Sequence, residues 1–310
     1  MKRILLSLTL LLFVARPAIA QTAISYEDLT IEALRKRSYG AGEFRVEQTL
    51  ATNTSFTRSL VSFDSDGLKV YGFMNMPRAS AGASNKKFPV VLVLHGYVNP
   101  RTYRTPYTYT QRYADALARA GFLVIHPDYR GHGKSEGNET LFRTGYAIDI
   151  LNLIEHVKKL PNANPNAIGL FGHSMGGGIS LRVLTISKDI KASVVYGSMN
   201  SDDLQNRDRI RNVFRGALHI PEDDVPDIWL PKISPSTYMS DVNAAISIHH
   251  GARDAIVPLG WSKSLNDQLS TLDKEVEYFV YPNQGHSLQG PALTTMLERV
   301  IRFYRKSLTG

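Results

Sequence analysis

Short continuous apolar runs alternate with longer amphipathic stretches from residue 58 onward. Arg58 to Phe63 and Leu68 to Asn75 read as two strands joined by Asp64-Ser65-Asp66-Gly67, a hairpin turn signal. Val90 to Leu94 is uninterruptedly apolar, as expected of a strand buried on both faces. A helix is predicted over Tyr107 to Ala120, ended by Gly121, and then a strand over Phe122 to Ile125. The pattern continues with a helix near Tyr146 to Leu160, a strand Ala167 to Phe171, a helix Met175 to Ser187 and a strand Ala192 to Tyr196. Residues 199–240 break the rhythm. They are polar, carry Pro221, Pro226, Pro231 and Pro235, and read as an inserted cap segment. The rhythm resumes with a strand Ala244 to His249, a helix Trp261 to Ser270, a strand Val276 to Tyr281 and a helix from about Ala292 to Tyr304. Such alternation predicts an α/β fold, with a mostly parallel sheet carrying helices on both faces and antiparallel strands at its leading edge. Ahead of it, residues 24–37 suit one short amphipathic helix, and 78–87 a polar surface loop.

The first residues follow a different logic. Lys2 and Arg3 precede an apolar run from Ile4 to Val14, and Ala18-Ile19-Ala20 offers small residues where a signal peptidase reads them. The run is short of the roughly 20 apolar residues that a membrane span needs. We therefore expect residues 1–20 to act as a signal peptide for a secreted or periplasmic protein, cut after Ala20 and leaving no stable membrane span. An exported protein whose intact mass still included Met1 would contradict this. The expected organisation is then an N-terminal extension over 21–57 and a catalytic domain over 58–310 with the cap at 199–240.

The formal net charge is +8, to which Lys2, Arg3 and Arg16 contribute three without an offsetting acid, leaving +5. Without Lys/Arg clusters interleaved with aromatics, this modest excess does not point to nucleic acid. The chain has no cysteine, which excludes disulfides and a lipidated cysteine anchor. No spacing of the H-E-x-x-H kind marks a metal site, and no cofactor is expected. Gly133-Lys134-Ser135 resembles the end of a phosphate-binding loop, but Asp128 stands where that loop needs glycine.

Gly172-His173-Ser174-Met175-Gly176 carries the chemistry. It matches G-x-S-x-G and lies between an apolar strand and a helical stretch, the setting of a nucleophile elbow. A serine hydroxyl is a poor nucleophile until a base takes its proton. Among nine histidines, His286 follows a predicted strand in a Gly/Pro-containing loop, and Asp254 does the same one strand earlier. Reactive groups gather at the C-terminal strand ends of an open α/β sheet, and the order Ser, Asp, His suits this fold. Ser174 is thus expected as nucleophile, His286 as base and Asp254 as the acid that orients it. The backbone N–H groups of Tyr97 and Met175 are the expected oxyanion donors. His173, Phe214, Trp229 and Leu230 are candidates for the substrate pocket.

Several separate motifs now agree: HGY at 95–97, DYRGHGKS at 128–135, GHSMGG at 172–177, GARDAIVP at 251–258 and GH at 285–286. Over about residues 58–308 the chain resembles the α/β-hydrolase superfamily, and most closely its prolyl-oligopeptidase-like and dienelactone-hydrolase-like branches. The resemblance implies a sheet of about eight strands and the triad roles already assigned. Residues 21–57 are too few for the β-propeller of large oligopeptidases, which needs at least four blades of roughly 40 residues each. The expected activity is hydrolysis of carboxylic esters with small or medium acyl groups through an acyl-enzyme, with a peptidase or amidase as the alternative reaction. A catalytically inactive binding protein of the same fold is the alternative of another class.

Overall fold

The computed structural model describes residues 25–309 apart from 79–85, 107, 139 and 214–219. The expected signal peptide, the expected helix start at Tyr107 and the pocket candidate Phe214 lie outside the described residues. In chain order the elements begin with α1 (Ile31–Lys36), β1 (Phe44–Thr52), β2 (Phe56–Ser65), β3 (Leu68–Pro77) and β4 (Phe88–Leu94). Next come α2 (Thr108–Arg119), β5 (Leu123–Pro127), α3 (Thr144–Lys158), β6 (Ala163–His173), α4 (Met175–Ile186) and β7 (Ile190–Tyr196). After α5 (Asp203–Val213) and α6 (Leu230–Ile233) follow β8 (Ala245–Gly251), α7 (Leu259–Thr271), β9 (Val276–Tyr281) and α8 (Gly290–Thr309).

The strands form one nine-stranded sheet in the order β1-β2-β3-β5-β4-β6-β7-β8-β9. The pairings among β1, β2, β3 and β5 are antiparallel, and the rest are parallel. Asp66 and Gly67 join β2 to β3 with φ of 52° and 79°, the left-handed pair that a two-residue hairpin demands.

The ninth strand, β1, is the one absent from the sequence reading. Its residues are mostly exposed, with Val46 at 59%, and two register shifts interrupt its pairing with β2. An exposed, bulged edge strand keeps no apolar alternation to read. The N-terminal helix also differs. Residues 26–29 form a 3₁₀ turn, and the Thr30 hydroxyl accepts from Ala33 N–H to start α1 separately.

The core divides by sheet face. Val90, Leu92 and Leu94 point one way, against α3, α4 and α7; Val91 and Val93 point the other way, against α2 and α8. All five are fully buried, which is why β4 reads as an unbroken apolar run. Winding reverses at β4, which has β5 on one side and β6 on the other. Open α/β sheets bind ligands at the carboxyl ends of strands beside such a reversal. Here those ends are His95-Gly96-Tyr97 after β4 and Ser174 after β6.

Candidate active site

Ser174 sits between β6 and α4 with φ 56° and ψ −118°, backbone that costs an L-residue of order 1–3 kcal/mol. The surroundings hold it there. Its N–H donates to Tyr196 O at 2.9 Å, and its carbonyl accepts from Gly177 N–H and Met199 N–H, each at 3.0 Å. The turn closes only because its flanks lack side chains. A Cβ on Gly172 would lie 2.4 Å from Gly176 O, and one on Gly176 only 2.1 Å from Leu94 O. Both are backbone contacts with no flexible atom to yield.

Met175 opens α4, so its N–H has no acceptor within the helix and stands at the positive end of the helix dipole. Opposite, the loop after β4 passes close by: a Cβ on Gly96 would lie 3.0 Å from Ser174 Cβ. Tyr97 follows with its side chain exposed, and its N–H meets no acceptor among the described residues. The two expected oxyanion donors thus stand on either side of Ser174.

Asp254, in the loop after β8, is fully buried at its side chain. Oδ1 accepts from Ile256 N–H at 2.8 Å and Val257 N–H at 2.9 Å. Oδ2 lies 2.7 Å from His286 Nδ1 and 3.2 Å from His250 Nε2. Burial works against the charged carboxylate, but the bonds from His250, His286 and Val257 outweigh it and hold the pKa well below the usual range.

His286 is brought toward Ser174 through the end of β7. Tyr196 O takes the Ser174 N–H, and at the next residue a Cβ on Gly197 would lie 3.3 Å from His286 Nδ1. Ser174 Oγ has no hydrogen bond among the described residues. Bonds of this kind are often long without substrate and tighten when it binds.

His173 lies 2% exposed beneath the turn and does not line the cavity into which Ser174 opens. Its Nε2–H donates to His286 O at 3.0 Å, while Nδ1 takes a short hydrogen bond from the Tyr109 hydroxyl. That hydroxyl in turn faces Gly96 N–H at 3.3 Å. A chain of polar contacts therefore joins the loop after β4 to the backbone of His286. Burial pushes the His173 pKa down to about 3, so the imidazole stays neutral.

Trp229 and Leu230 are also absent from the cavity. They pack with Leu29, Phe142, Val225 and Ile233 in a small separate cluster. Their apolar surface is used in that packing. The cavity has a volume of about 870 Å³, and its apolar lining includes Tyr97, Leu141, Met199, Ile210, Ile256 and Trp261.

Two groups that matter here escape the sequence reading as site components. Tyr109 is hidden inside a predicted helix, and Arg143 in a loop. His250, at the end of β8, bonds the Asp254 carboxylate. The DYRGHGKS segment is a bracket rather than a phosphate loop. Arg130 pairs with buried Asp149 at 2.7 Å, Ser135 Oγ accepts from Tyr71 N–H, and Asp128 accepts from the Tyr103 hydroxyl. Burial raises the Asp128 pKa to about 7. Among the described residues, no three His, Asp or Glu side chains are grouped to hold a metal ion.

Sheet order, the turn at Ser174 and the Asp254–His286 pair together define an α/β hydrolase. Residues 85–247 match the family described as Serine aminopeptidase, S33, and the chain belongs to that family of hydrolases. It is 26% identical over 232 residues to the "Uncharacterized peptidase YuxL" of Bacillus subtilis (strain 168), covering 72% of this chain and 34% of that protein. Among solved structures, Pyrococcus horikoshii acylaminoacyl peptidase aligns at a TM-score of 0.68 and 23% identity, over 83% of this chain and 42% of its own. Acetyl Xylan Esterase 1 from Thermoanaerobacterium sp. JW/SL YS485 aligns at 0.65 and 17%, over 90% of this chain and 92% of its own. The chain thus spans well under half the length of the two peptidases.

Proposed function

We propose that this chain hydrolyses carboxylic esters through an acyl-enzyme on Ser174. His286 takes the Ser174 proton as the hydroxyl attacks the ester carbonyl. The Tyr97 and Met175 N–H groups stabilise the oxyanion, and His286 returns the proton to the leaving alcohol. Water then repeats the sequence on the acyl-enzyme. Asp254 keeps the hydrogen of His286 on Nδ1, so that Nε2 is the basic nitrogen. The observation that carries this reading is the 2.7 Å Asp254–His286 contact beside a strained serine that opens into a mostly apolar cavity.

Family membership and the name of YuxL favour a second reading, cleavage of peptides from a free amino terminus. The charges around the cavity speak against it. Among the described residues that line it, Arg130 is matched by buried Asp149, but Arg143 and Arg209 stand against one carboxylate, Glu222, and an ammonium would meet that excess of positive charge.

The test compares 4-nitrophenyl butyrate with alanine 4-nitroanilide and its N-acetyl derivative. We expect the ester to be cleaved fastest and the acetylated anilide faster than the free amine. Fastest turnover of the free-amine anilide would establish the peptidase reading instead.

A further inference from the structure

Arg143 is placed unlike the other arginines of the cavity. It is only 9% exposed, yet it borders the cavity and a second, water-sized void beneath it. Arg130 is matched by Asp149, and Arg209 gives its hydrogens to the carbonyls of Ala255 and Ile256. The Arg143 guanidinium makes no hydrogen bond among the described residues. Its nearest carboxylate is Asp203, at 3.7 Å, beyond hydrogen-bond reach. Asp203 is already committed, since its other oxygen holds buried Arg182 at 2.5 Å. Glu222, the cavity's own acid, accepts from Phe142 N–H at 3.1 Å and forms no ion pair with Arg143.

The backbone reinforces the placement. Phe142 and Arg143 both have positive φ, 52° and 58°, although neither is glycine. Two successive left-handed residues each cost of order 1–3 kcal/mol, which the surrounding contacts must offset. The position is also close to the chemistry. Gly178 borders the void with Arg143 and lies four residues beyond Ser174, about one helical turn or ~5.4 Å along α4. Met199, which bonds the Ser174 carbonyl, borders both the void and the cavity.

Among the described residues that line the cavity, Arg130 is spent on Asp149 and Arg209 on backbone carbonyls, which leaves Arg143 as the guanidinium without a hydrogen-bonded partner. A largely buried guanidinium with unspent donors is matched by one planar anion in a bidentate fork. We propose that Arg143 is the subsite for a carboxylate carried by the substrate, so that the preferred ester is a monoanion such as a half-ester of a short dicarboxylic acid. This deepens the ester reading above and rests on it.

Monoethyl adipate and ethyl hexanoate form a suitable pair, of similar length with and without the anion. The wild-type chain should favour the monoanion in kcat/KM, with the advantage carried mainly by KM. Arg143→Met should erase most of that ratio and Arg143→Lys should keep part of it. Removing one bidentate, charge-assisted pair of hydrogen bonds corresponds to about 10- to 100-fold in the ratio. Equal kcat/KM for the two esters in the wild type, or the same ratio in Arg143→Met, would overturn the subsite. Calorimetric titration with hexanoate and with hexanamide checks it without turnover. Hexanoate should bind the wild type at least about 10-fold more tightly than it binds Arg143→Met, and hexanamide should show no such difference. Equal hexanoate affinities would overturn the proposal even if Arg143→Met were poorly active. Failure of the wild type to cleave either ester, with hexanoate still bound through Arg143, would sink the ester reading and leave the anion subsite standing.

Discussion

Replacing Ser174 by alanine should lower kcat for 4-nitrophenyl butyrate by on the order of 10⁶-fold, and should leave the melting temperature within about 2 °C of the wild type. The magnitude follows the behaviour of serine hydrolases whose nucleophile, base and acid act as a unit, where loss of the nucleophile costs nearly as much as loss of all three. The expectation of unchanged stability has a local reason. The strained backbone at residue 174 is held by main-chain bonds to Tyr196, Gly177 and Met199, none of which uses the hydroxyl. Ser174 Oγ itself makes no hydrogen bond among the described residues, so alanine orphans no partner. The residual rate would come from the Tyr97 and Met175 donors and from binding alone. A fluorophosphonate should add to the wild type in a 1:1 ratio at Ser174 and not to the variant. Residual activity above about 1%, once contaminating host esterase is excluded, would be incompatible with an acyl-enzyme on this residue.

Asp254→Asn should cost about 10⁴-fold in kcat. The carboxylate receives donors at both oxygens, Ile256 and Val257 N–H at one and the His250 and His286 rings at the other. An amide has only one acceptor oxygen. Whichever way it turns, its NH₂ faces two groups that also donate. With NH₂ toward His286, Nδ1 must become the acceptor, the ring hydrogen moves to Nε2, and the nitrogen facing Ser174 can no longer take a proton. With NH₂ toward the backbone, the exposed Ile256 N–H and the part-buried Val257 N–H lose their acceptor, the latter at up to about 1–3 kcal/mol.

The sign of the pH effect follows from the depressed pKa of Asp254. A carboxyl whose folded pKa lies below its unfolded value of about 3.9 contributes stability that is present above that value and is lost as the pH falls toward the folded pKa. The stability gap between wild type and Asp254→Asn, measured by urea unfolding, should therefore be constant from neutral pH down to about pH 5 and narrow below about pH 4. A loss in kcat of less than about 10-fold would mean that Asp254 does not orient the base.

Legibility differed sharply between the sheet and the cavity. Strands β4 to β8 were readable because each is bounded by turn residues and its central residues are buried on both faces, so its own composition reports its environment; β9, a half-buried edge, was readable from its run of β-branched and aromatic residues. Strand β1 was not, since an exposed edge with interrupted pairing imposes no pattern on Val46 or Leu50. Ser174 stood out through Gly172 and Gly176, whose missing side chains are a purely local demand of a tight turn. His286 and Asp254 were recoverable only as residues just past strand ends, from the order in which such groups occur. The cap candidates show the limit. Trp229 and Leu230 are large and apolar, as pocket residues are, but equally as residues of a packed cluster, and they pack with Leu29 and Phe142.

By itself, then, the sequence determined the alternation of strands and helices, the strained turn at Ser174 and the reach of two loops toward one sheet edge. These follow from interactions among neighbours in the chain: apolar periodicity, turn chemistry and steric room at glycine. Only the tertiary structure decided that His250 braces Asp254, that His173 and Tyr109 support the site from below, and that Arg143 faces a cavity with its donors unspent. Each of those depends on groups dozens of residues apart meeting in a low-dielectric interior. There the worth of a charge or a hydrogen bond is set by what else is buried beside it, and no local pattern records that.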